Sequence, residues 1–245
     1  MNKLRKYSRL LFPIGLGCLL VWALMVYVES VAANARQNTI DKIFNKNYNK
    51  VFRVENILNP AHHGTGFLVA GKSGKKYIMT NDHVCKNKPG LFVRNDYYFF
   101  PAKIVHQNGK ADLCLLDSPD FDLSPIQITK KEPLTNDLIY SLGFPAQQNL
   151  IFSEGILSNI TYERMVEPFT NQDYCNLKFN HNNKEYCAVD RFFWASTMHV
   201  IPGQSGSPVL DKNGDLVAIV FVNMAGGFYS GFILLQEIEK VLEKF

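Results

Sequence analysis

The sequence lacks internal repeats and low-complexity segments, and its main part lacks a strong excess of charge. The 245 residues carry a net charge of +4, of which +3 belongs to residues 1–35. A protein that binds nucleic acid through its phosphates needs a basic face. The nearly neutral composition after residue 35 therefore gives no reason to expect a nucleic acid partner.

The one long hydrophobic run of the chain lies at its N-terminus. Leu10–Val28 holds no charged residue over 19 positions, and Ala33-Asn34-Ala35 has the small-residue pattern of a signal peptidase site. The four basic residues before the run are Lys3, Arg5, Lys6 and Arg9. The run is long for a signal peptide and barely long enough to span a bilayer. Residues 1–35 are therefore predicted to be a cleaved signal peptide or an anchor that spans the inner membrane through residues 10–28. In both cases the body is periplasmic, secreted or membrane-anchored outside the cytoplasm.

A serine stands between glycines in the segment Gly203-Gln204-Ser205-Gly206-Ser207-Pro208. A serine hydroxyl is a poor nucleophile unless a base takes its proton and nearby N–H groups stabilise the oxyanion. Glycines allow the backbone to turn sharply and to direct its N–H groups at one point. The segment therefore predicts a nucleophilic serine, provided that a base and an orienting group exist elsewhere.

Two upstream segments supply the missing groups. Thr80-Asn81-Asp82-His83-Val84-Cys85 follows one strand-like run, and Ala111-Asp112-Leu113-Cys114 opens another. An imidazole titrates near neutrality and can accept the serine proton, while a carboxylate can hold it in one tautomer. The three segments, in the order His83, Asp112, Ser205, resemble those of the chymotrypsin/trypsin superfamily of serine proteases. They are most similar to its bacterial, high-temperature-requirement-type branch without a PDZ domain.

The resemblance extends over roughly residues 51–235 and implies a role for each motif residue. His83 is expected to be the general base, Asp112 the group that orients it, and Ser205 the nucleophile. The N–H groups of Gly203 and Ser205 are expected to form the oxyanion hole. No metal or organic cofactor is implied.

The resemblance also implies an all-β fold, a trypsin-like double antiparallel β-barrel. Residues 36–50 are then a linker or short helix, 51–120 the first barrel, 121–136 a connection, and 137–234 the second barrel. The strands expected in the first barrel are Val51–Ile57, Gly66–Ala70, Tyr77–Thr80, Leu91–Arg94, Phe99–His106 and Leu113–Asp117. Those expected in the second are Asp137–Gly143, Ile151–Ile160, Phe192–Met198, Pro208–Leu210, Leu216–Val222 and Tyr229–Leu234.

Two segments depart from the strand pattern. Residues 161–191 interrupt the rhythm of the second barrel and are rich in aromatic residues and asparagine. They are expected to form an inserted surface loop, or a lid or specificity loop beside the cleft. Residues 235–245 have apolar residues at helical spacing and predict a C-terminal helix.

Four of the five cysteines lie beyond residue 35, and an even number in an exported chain favours disulfides. If the resemblance holds, Cys85 follows the catalytic histidine and Cys114 the catalytic aspartate, so these two are expected to pair. Cys175 and Cys187 are expected to close the inserted loop. Zinc binding by Cys175, His181 and Cys187 is the alternative, although spacings of six residues match no common zinc pattern.

Specificity is less readable than the triad. Gln204 stands where the animal digestive enzymes have an aspartate that pairs with a new N-terminus, so activation through that ion pair is not expected. By the resemblance, His199 and the stretch from Val222 through Asn223 and Met224 are candidate substrate-binding residues. No aspartate lies at the base of the expected pocket, which argues against a strict preference for lysine or arginine.

The sequence therefore predicts an exported serine endopeptidase that acts on protein or peptide substrates through an acyl-enzyme. A protease-fold protein of the cell envelope that binds partners without cutting them is one alternative. The other is an envelope interaction protein that docks a partner through its membrane run and its aromatic loop, with hydrolysis incidental.

Overall fold

The computed structural model describes the backbone of residues 2–86, 90–146, 149–168, 175–224 and 229–245. Side chains are described from residue 19 onward in these ranges, except at 61, 163, 165, 167, 168, 222–224 and 229. The chain forms two compact units, residues 1–42 and residues 43–245.

The first unit belongs to a single long helix, α1 (Asn2–Asn47), which is followed by a short 3-10 helix at Tyr48–Lys50. The apolar side chains between Leu19 and Val28 are 45–65% exposed. This helix is long and apolar enough to cross a membrane. A signal sequence near the N-terminus meets the same criteria of length and composition. The linker or short helix predicted for residues 36–50 is instead mostly a continuation of α1. No glycine or proline lies between residues 33 and 47 to end the helix.

After the last residues of α1, the second unit continues with an antiparallel sheet that contains, in the described residues, seven strands. In chain order they are β1 (Val51–Asn56), β2 (Asn59–Ala70), β3 (Lys76–Thr80), β4 (Leu91–Arg94), β5 (Phe99–Ala102), β6 (Ile104–Asn108) and β7 (Leu113–Asp117). Their spatial order is β5-β4-β1-β2-β3-β7-β6. The one-turn helix α2 (Asp82–Cys85) follows β3.

The second sheet also has seven strands in the described part of the chain. They are β8 (Leu138–Gly143), β9 (Ile151–Pro168), β10 (Leu177–His181), β11 (Lys184–Ser196), β12 (Pro208–Leu210), β13 (Leu216–Met224) and β14 (Tyr229–Leu234). Their order is β10-β11-β14-β13-β12-β8-β9, and β9 also pairs with β11, which closes the sheet into a barrel.

Each barrel has its own apolar core. The first includes Phe52, Leu68 and Ile78, and the second includes Ile139, Val209 and Phe232, all at most 1% exposed. The fold class predicted from the sequence, an all-β double barrel with a terminal helix at each end, is confirmed. Helix α3 (Leu235–Leu242) has the expected apolar face, because Leu235, Ile238, Val241 and Leu242 are buried.

Three predicted segments differ from the structure. The strand expected at Gly66–Ala70 is longer, because β2 begins at Asn59. The single strand expected at Phe99–His106 is broken at Lys103, because β5 pairs with β4 while β6 pairs with β7. The loop expected at residues 161–191 is largely strand: β9 continues to Pro168, and β10 and β11 pair within the insert. We call these paired parts the inserted hairpin, residues 161–168 and 177–191. Residues 169–174 lie outside the described part of the chain.

Candidate active site

His83 stands on α2, directly after strand β3 of the first barrel. Its neighbours Val84 and Cys85 are buried in the first core, whereas the His83 side chain is 48% exposed. The single turn of helix therefore anchors itself through apolar residues and leaves the imidazole accessible.

Asp112 holds this imidazole from the turn that leads into β7. Its Oδ2 lies 2.8 Å from His83 Nδ1, and its Oδ1 accepts the His83 backbone N–H at 3.0 Å. Asp112 is 4% exposed, and its φ of 55° lies in the left-handed region. A carboxylate at this distance requires the proton on Nδ1, so Nε2 of neutral His83 is left with a lone pair that can accept a proton.

The loop that carries Ser205 is fastened to the first barrel through Thr65 of β2. The Thr65 backbone N–H donates to the Ser205 carbonyl at 2.8 Å, and Thr65 Oγ1 donates to the Gly203 carbonyl at 2.9 Å. The same hydroxyl accepts the Phe144 N–H at 3.0 Å. A single buried threonine thus ties the serine loop and the end of β8 to the first barrel.

Gly64 lies between helix α2, which forms the His83 turn, and the loop Gly203–Pro208 that carries Ser205, the serine loop. A Cβ at Gly64 would lie 2.5 Å from Val84 Cγ2 and 3.0 Å from the Ser205 carbonyl oxygen. The two segments approach so closely that only a residue without a side chain fits between them. The fold therefore brings the His83 turn and the Ser205 loop together across one glycine.

The N–H groups in the serine loop are used unequally. Those of Gln204, Gly206 and Ser207 donate to the carbonyls of Ile201, Val220 and Gln204 respectively. In the described part of the chain, the N–H groups of Gly203 and Ser205 donate to no protein acceptor. Gly203 has a φ of 97°, which glycine adopts without strain. The backbone N–H groups of Gly203 and Ser205 are therefore both available to stabilise a negatively charged oxygen.

Ser205 Oγ makes no hydrogen bond to His83, nor to any other group in the described residues. Among the three proposed triad residues, the structure thus joins His83 to Asp112 and places the Ser205 loop beside them without the third contact. Hydrogen bonds between a nucleophile and its base often tighten only when substrate is bound.

Gln204 is buried, and its side-chain amide makes two hydrogen bonds within the protein. Its Oε1 accepts the Ile201 N–H at 2.9 Å, and its Nε2 donates to Ser153 Oγ at 3.2 Å. The neutral amide of Gln204 thus holds the loop that carries Ser205 to β9. Gln204 stands at the position where the digestive enzymes have the aspartate that pairs with a new N-terminus.

Asp82 is a second buried carboxyl beside the proposed triad. Burial, and then the negative charge of Asp112, raise the pKa of Asp82 above its ordinary value. Its Oδ1 accepts a hydrogen bond from Gln107 Nε2 at 2.9 Å. The carboxyl of Asp82 bonds to Gln107, whereas that of Asp112 bonds to the imidazole.

The candidate specificity residues are placed less completely. His199 is exposed on the segment between β11 and β12, and its neighbours Met198 and Val200 are buried. Residues 222–224 lie in β13, where their backbone pairs with β14. The side chains of Val222, Asn223 and Met224 lie outside the described part, so their role stays a prediction.

Both expected cysteine pairs are disulfide-bonded. Cys85 is joined to Cys114 across a Cα separation of 6.6 Å, and Cys175 to Cys187 across 5.5 Å. The first bridge ties the His83 turn to the strand that follows Asp112. The second uses both sulfurs that the alternative zinc site with His181 would need. In the residues that the structure describes, no group of three or more potential metal ligands is found.

Comparison with known proteins agrees with this geometry. The family model described as a trypsin-like peptidase domain matches residues 64–219. The chain is 25% identical over 196 residues to a probable periplasmic serine endoprotease, DegP-like, of Hahella chejuensis. The match covers 78% of this chain and 37% of that protein. Over 171 residues the chain is 26% identical to the serine protease HTRA1 of Xenopus laevis, covering 69% of this chain and 33% of the relative. The chain thus spans about a third of the length of these curated relatives.

Solved structures share the fold. The active form of the Rv3671c protease from M. tuberculosis superposes with a TM-score of 0.68 at 20% identity, covering 84% of this chain and 85% of that one. The serine endoprotease from Yersinia pestis gives a TM-score of 0.64 at 20% identity, covering 84% and 65%.

Proposed function

Since the chain belongs to the trypsin-like peptidase domain family, we propose that it is a serine endopeptidase that cleaves protein or peptide substrates through His83, Asp112 and Ser205. The observation that carries the proposal is the pairing of His83 Nδ1 with Asp112 Oδ2 at 2.8 Å, beside a serine loop with two unpaired amides. The pairing leaves His83 Nε2 as the base, and the amides provide a site for the oxyanion.

The proposed reaction runs in two halves. His83 Nε2 takes the proton from Ser205 Oγ while Oγ attacks the carbonyl carbon of the scissile bond, and the N–H groups of Gly203 and Ser205 stabilise the oxyanion. The intermediate collapses, the amine leaves with the proton from His83, and an acyl-enzyme remains. Water then attacks the acyl group with His83 again as base, which releases the acid and restores Ser205.

We propose that this reaction takes place outside the cytoplasm. The apolar part of α1, its basic flank and the two disulfides support an exported chain. The periplasmic assignment in the name of the Hahella chejuensis relative points in the same direction. Anchoring to the inner membrane through residues 10–28 and release after residue 35 are the two forms that this export could take.

Ser205→Ala tests the proposal, with Ser207→Ala as its matched control. Ser207 is a buried serine two positions away whose hydroxyl has no hydrogen-bond partner in the described residues. Ser205→Ala is expected to reduce peptidase turnover by at least about 10³-fold and to abolish labelling by a fluorophosphonate probe. Ser207→Ala should retain both.

The same experiment separates the enzyme from a silent binding protein. A wild-type chain that neither reacts with the probe nor cleaves a peptide library would favour the protease-fold binding protein. Cleavage that persists in Ser205→Ala would refute the assignment of the nucleophile.

A further inference from the structure

Arg191, in strand β11 of the inserted hairpin, reaches across to the first barrel. Its Nη2 donates to the Gly109 carbonyl at 2.9 Å, and its Nε lies 3.3 Å from the Lys110 carbonyl. These two carbonyls belong to the turn that leads into Asp112. The planar guanidinium presents its N–H groups in a fixed fork, which suits two acceptors on one turn.

The turn that Arg191 binds, Gly109–Asp112, has an unfavourable backbone conformation. Asp112 adopts a φ of 55°, in the left-handed region that a residue with a side chain adopts only at a cost in free energy. Nearby contacts help to hold it, since the Asp112 N–H donates to the Gly109 carbonyl at 3.3 Å and Asn81 Nδ2 donates to the Asp112 carbonyl at 3.0 Å. The guanidinium of Arg191 adds the support that comes from the second barrel.

We propose that Arg191 is a positioning residue for catalysis, which fixes the Gly109–Lys110 carbonyls so that Asp112 keeps both of its hydrogen bonds to His83. The inference rests on the proposed function. Without the guanidinium the strained turn relaxes, the carboxylate moves away from the imidazole, and His83 loses its orientation. The inserted hairpin thereby acts on the reaction from outside the cleft.

Arg191→Ala and Arg191→Lys test the inference, with Arg164→Ala as the matched control. Arg164 lies on the neighbouring strand of the same hairpin and pairs with Asp190, an exposed interaction that does not reach the Asp112 turn. With a peptide substrate, Arg191→Ala should lower kcat by roughly 10- to 100-fold and change KM by less than about twofold. Arg191→Lys retains the charge but not the fork, and should lie between wild type and Arg191→Ala. Arg164→Ala should match the wild type.

A double-mutant cycle with Asp112→Asn shows whether Arg191 acts through Asp112. Asp112→Asn alone should lower kcat on the order of 10⁴-fold. Adding Arg191→Ala to it should cause little further loss, because the group being positioned has already lost its function. An equal loss in both backgrounds would make Arg191 merely structural and would overturn the inference.

Added methylguanidinium gives a second readout. A cavity of about 510 Å³ borders Lys110, Arg191 and Phe192, so the small cation can enter where the side chain has been removed. It should restore part of the kcat of Arg191→Ala and leave Arg164→Ala unchanged, and a lack of any restoration would count against the inference. If Arg191→Ala does not fold, Arg191→Lys takes its place in the kinetic comparison and in the cycle.

The two proposals fail in different ways. An inactive wild type, or full activity in Asp112→Asn, would refute the proposed function. An active wild type with an impaired Asp112→Asn, together with Arg191 variants that behave like Arg164→Ala, would refute only the role of Arg191.

Discussion

Thr65 is a residue that motif reasoning passed over, although it connects most of the candidate site. It is fully buried, it binds the backbone on both sides of Gln204, and its carbonyl accepts a hydrogen bond from Thr80 Oγ1 at 2.6 Å. A threonine in an apolar strand has no distinctive pattern. The signal that could have revealed it is its place between Gly64 and Gly66, because paired glycines in a strand mark a close approach of backbone.

Thr65→Val is expected to damage the site, and Thr65→Ser is expected to preserve it. Valine has the same shape but leaves the Gly203 carbonyl and the Phe144 N–H without their partner. Each buried group left unsatisfied costs about 1–3 kcal/mol. The free energy of unfolding, measured by urea denaturation, and kcat should both fall for Thr65→Val. Both should stay near their wild-type values for Thr65→Ser. Equal behaviour of the two variants would show that the hydroxyl is unimportant.

Asp82 gives a prediction of pH dependence at the same scale. Since burial and the Asp112 charge raise its pKa in the folded state, the folded chain binds this proton more tightly than the unfolded chain. The stabilisation is therefore complete below the ordinary aspartate pKa of about 3.8 and is lost as the pH rises through the raised pKa.

Asp82→Asn removes this titration and keeps an acceptor for Gln107. The free energy of unfolding of the wild type, compared with that of Asp82→Asn, should decrease as the pH rises from about 4 and then level off. Chemical denaturation across the pH range measures the difference, and Asp122→Asn, an exposed aspartate elsewhere, serves as the control. A difference that does not change with pH would contradict the expectation.

At the scale of elements, the strands of the two cores were predictable, whereas the inserted hairpin was not. Core strands have one face against apolar neighbours, so their sequences contain runs of buried residues, as in Leu113–Asp117. The paired strands beyond the barrel have faces open to solvent: Tyr162 is 47% exposed, Leu177 56% and Phe192 64%. Because such open faces do not require apolar residues, the segment lacks the apolar alternation by which strands are recognised, and a loop was predicted there.

Helix α3 offers a test of packing at this scale. Ile238 is fully buried on its inner face, and Glu239 beside it is exposed. Ile238→Ala should lower the free energy of unfolding by about 2–5 kcal/mol, because a buried side chain is replaced by a cavity. Glu239→Ala should have almost no effect. Thermal unfolding of the two variants distinguishes them, and an Ile238→Ala chain as stable as the wild type would show that α3 does not support the barrel.

At the scale of the whole molecule, the compact body starts inside the long helix and not at the first strand. Ile43 and Asn47 are fully buried, and Asn47 Nδ2 donates to the Gly214 carbonyl at 3.0 Å. Lys46 Nζ lies 2.7 Å from Asp215 Oδ1. The end of α1 is therefore part of the folded body.

Two shortened chains test this boundary. A chain that starts at Arg36 keeps these contacts and should match the full chain in stability and in kcat, because neutral Gln204 offers no charge for a new N-terminal ammonium. A chain that starts at Val51 loses them and should be less stable by at least about 2 kcal/mol, from the burial of Ile43 alone. Activity that appears only after shortening to Arg36 would contradict the expected independence from N-terminal activation.

The amino-acid sequence by itself determined which chemical groups were available and what kind of fold would carry them. The Gly203–Pro208 segment, the aspartate before β7 and the short apolar runs depend on local backbone preferences and residue chemistry, which act between near neighbours in the chain. The same holds for the apolar run of α1 and for the helical spacing of α3.

Only the tertiary structure decided which distant groups meet. The contacts of Thr65 with the serine loop and of Arg191 with the Asp112 turn join residues about 80 to 140 positions apart. On one side, such contacts use backbone carbonyls and amides. Because these groups occur along the whole chain, no sequence pattern predicts the contacts. These contacts form where the loops of the two barrels pack against each other. Their positions depend on that packing, because each barrel folds around its own core.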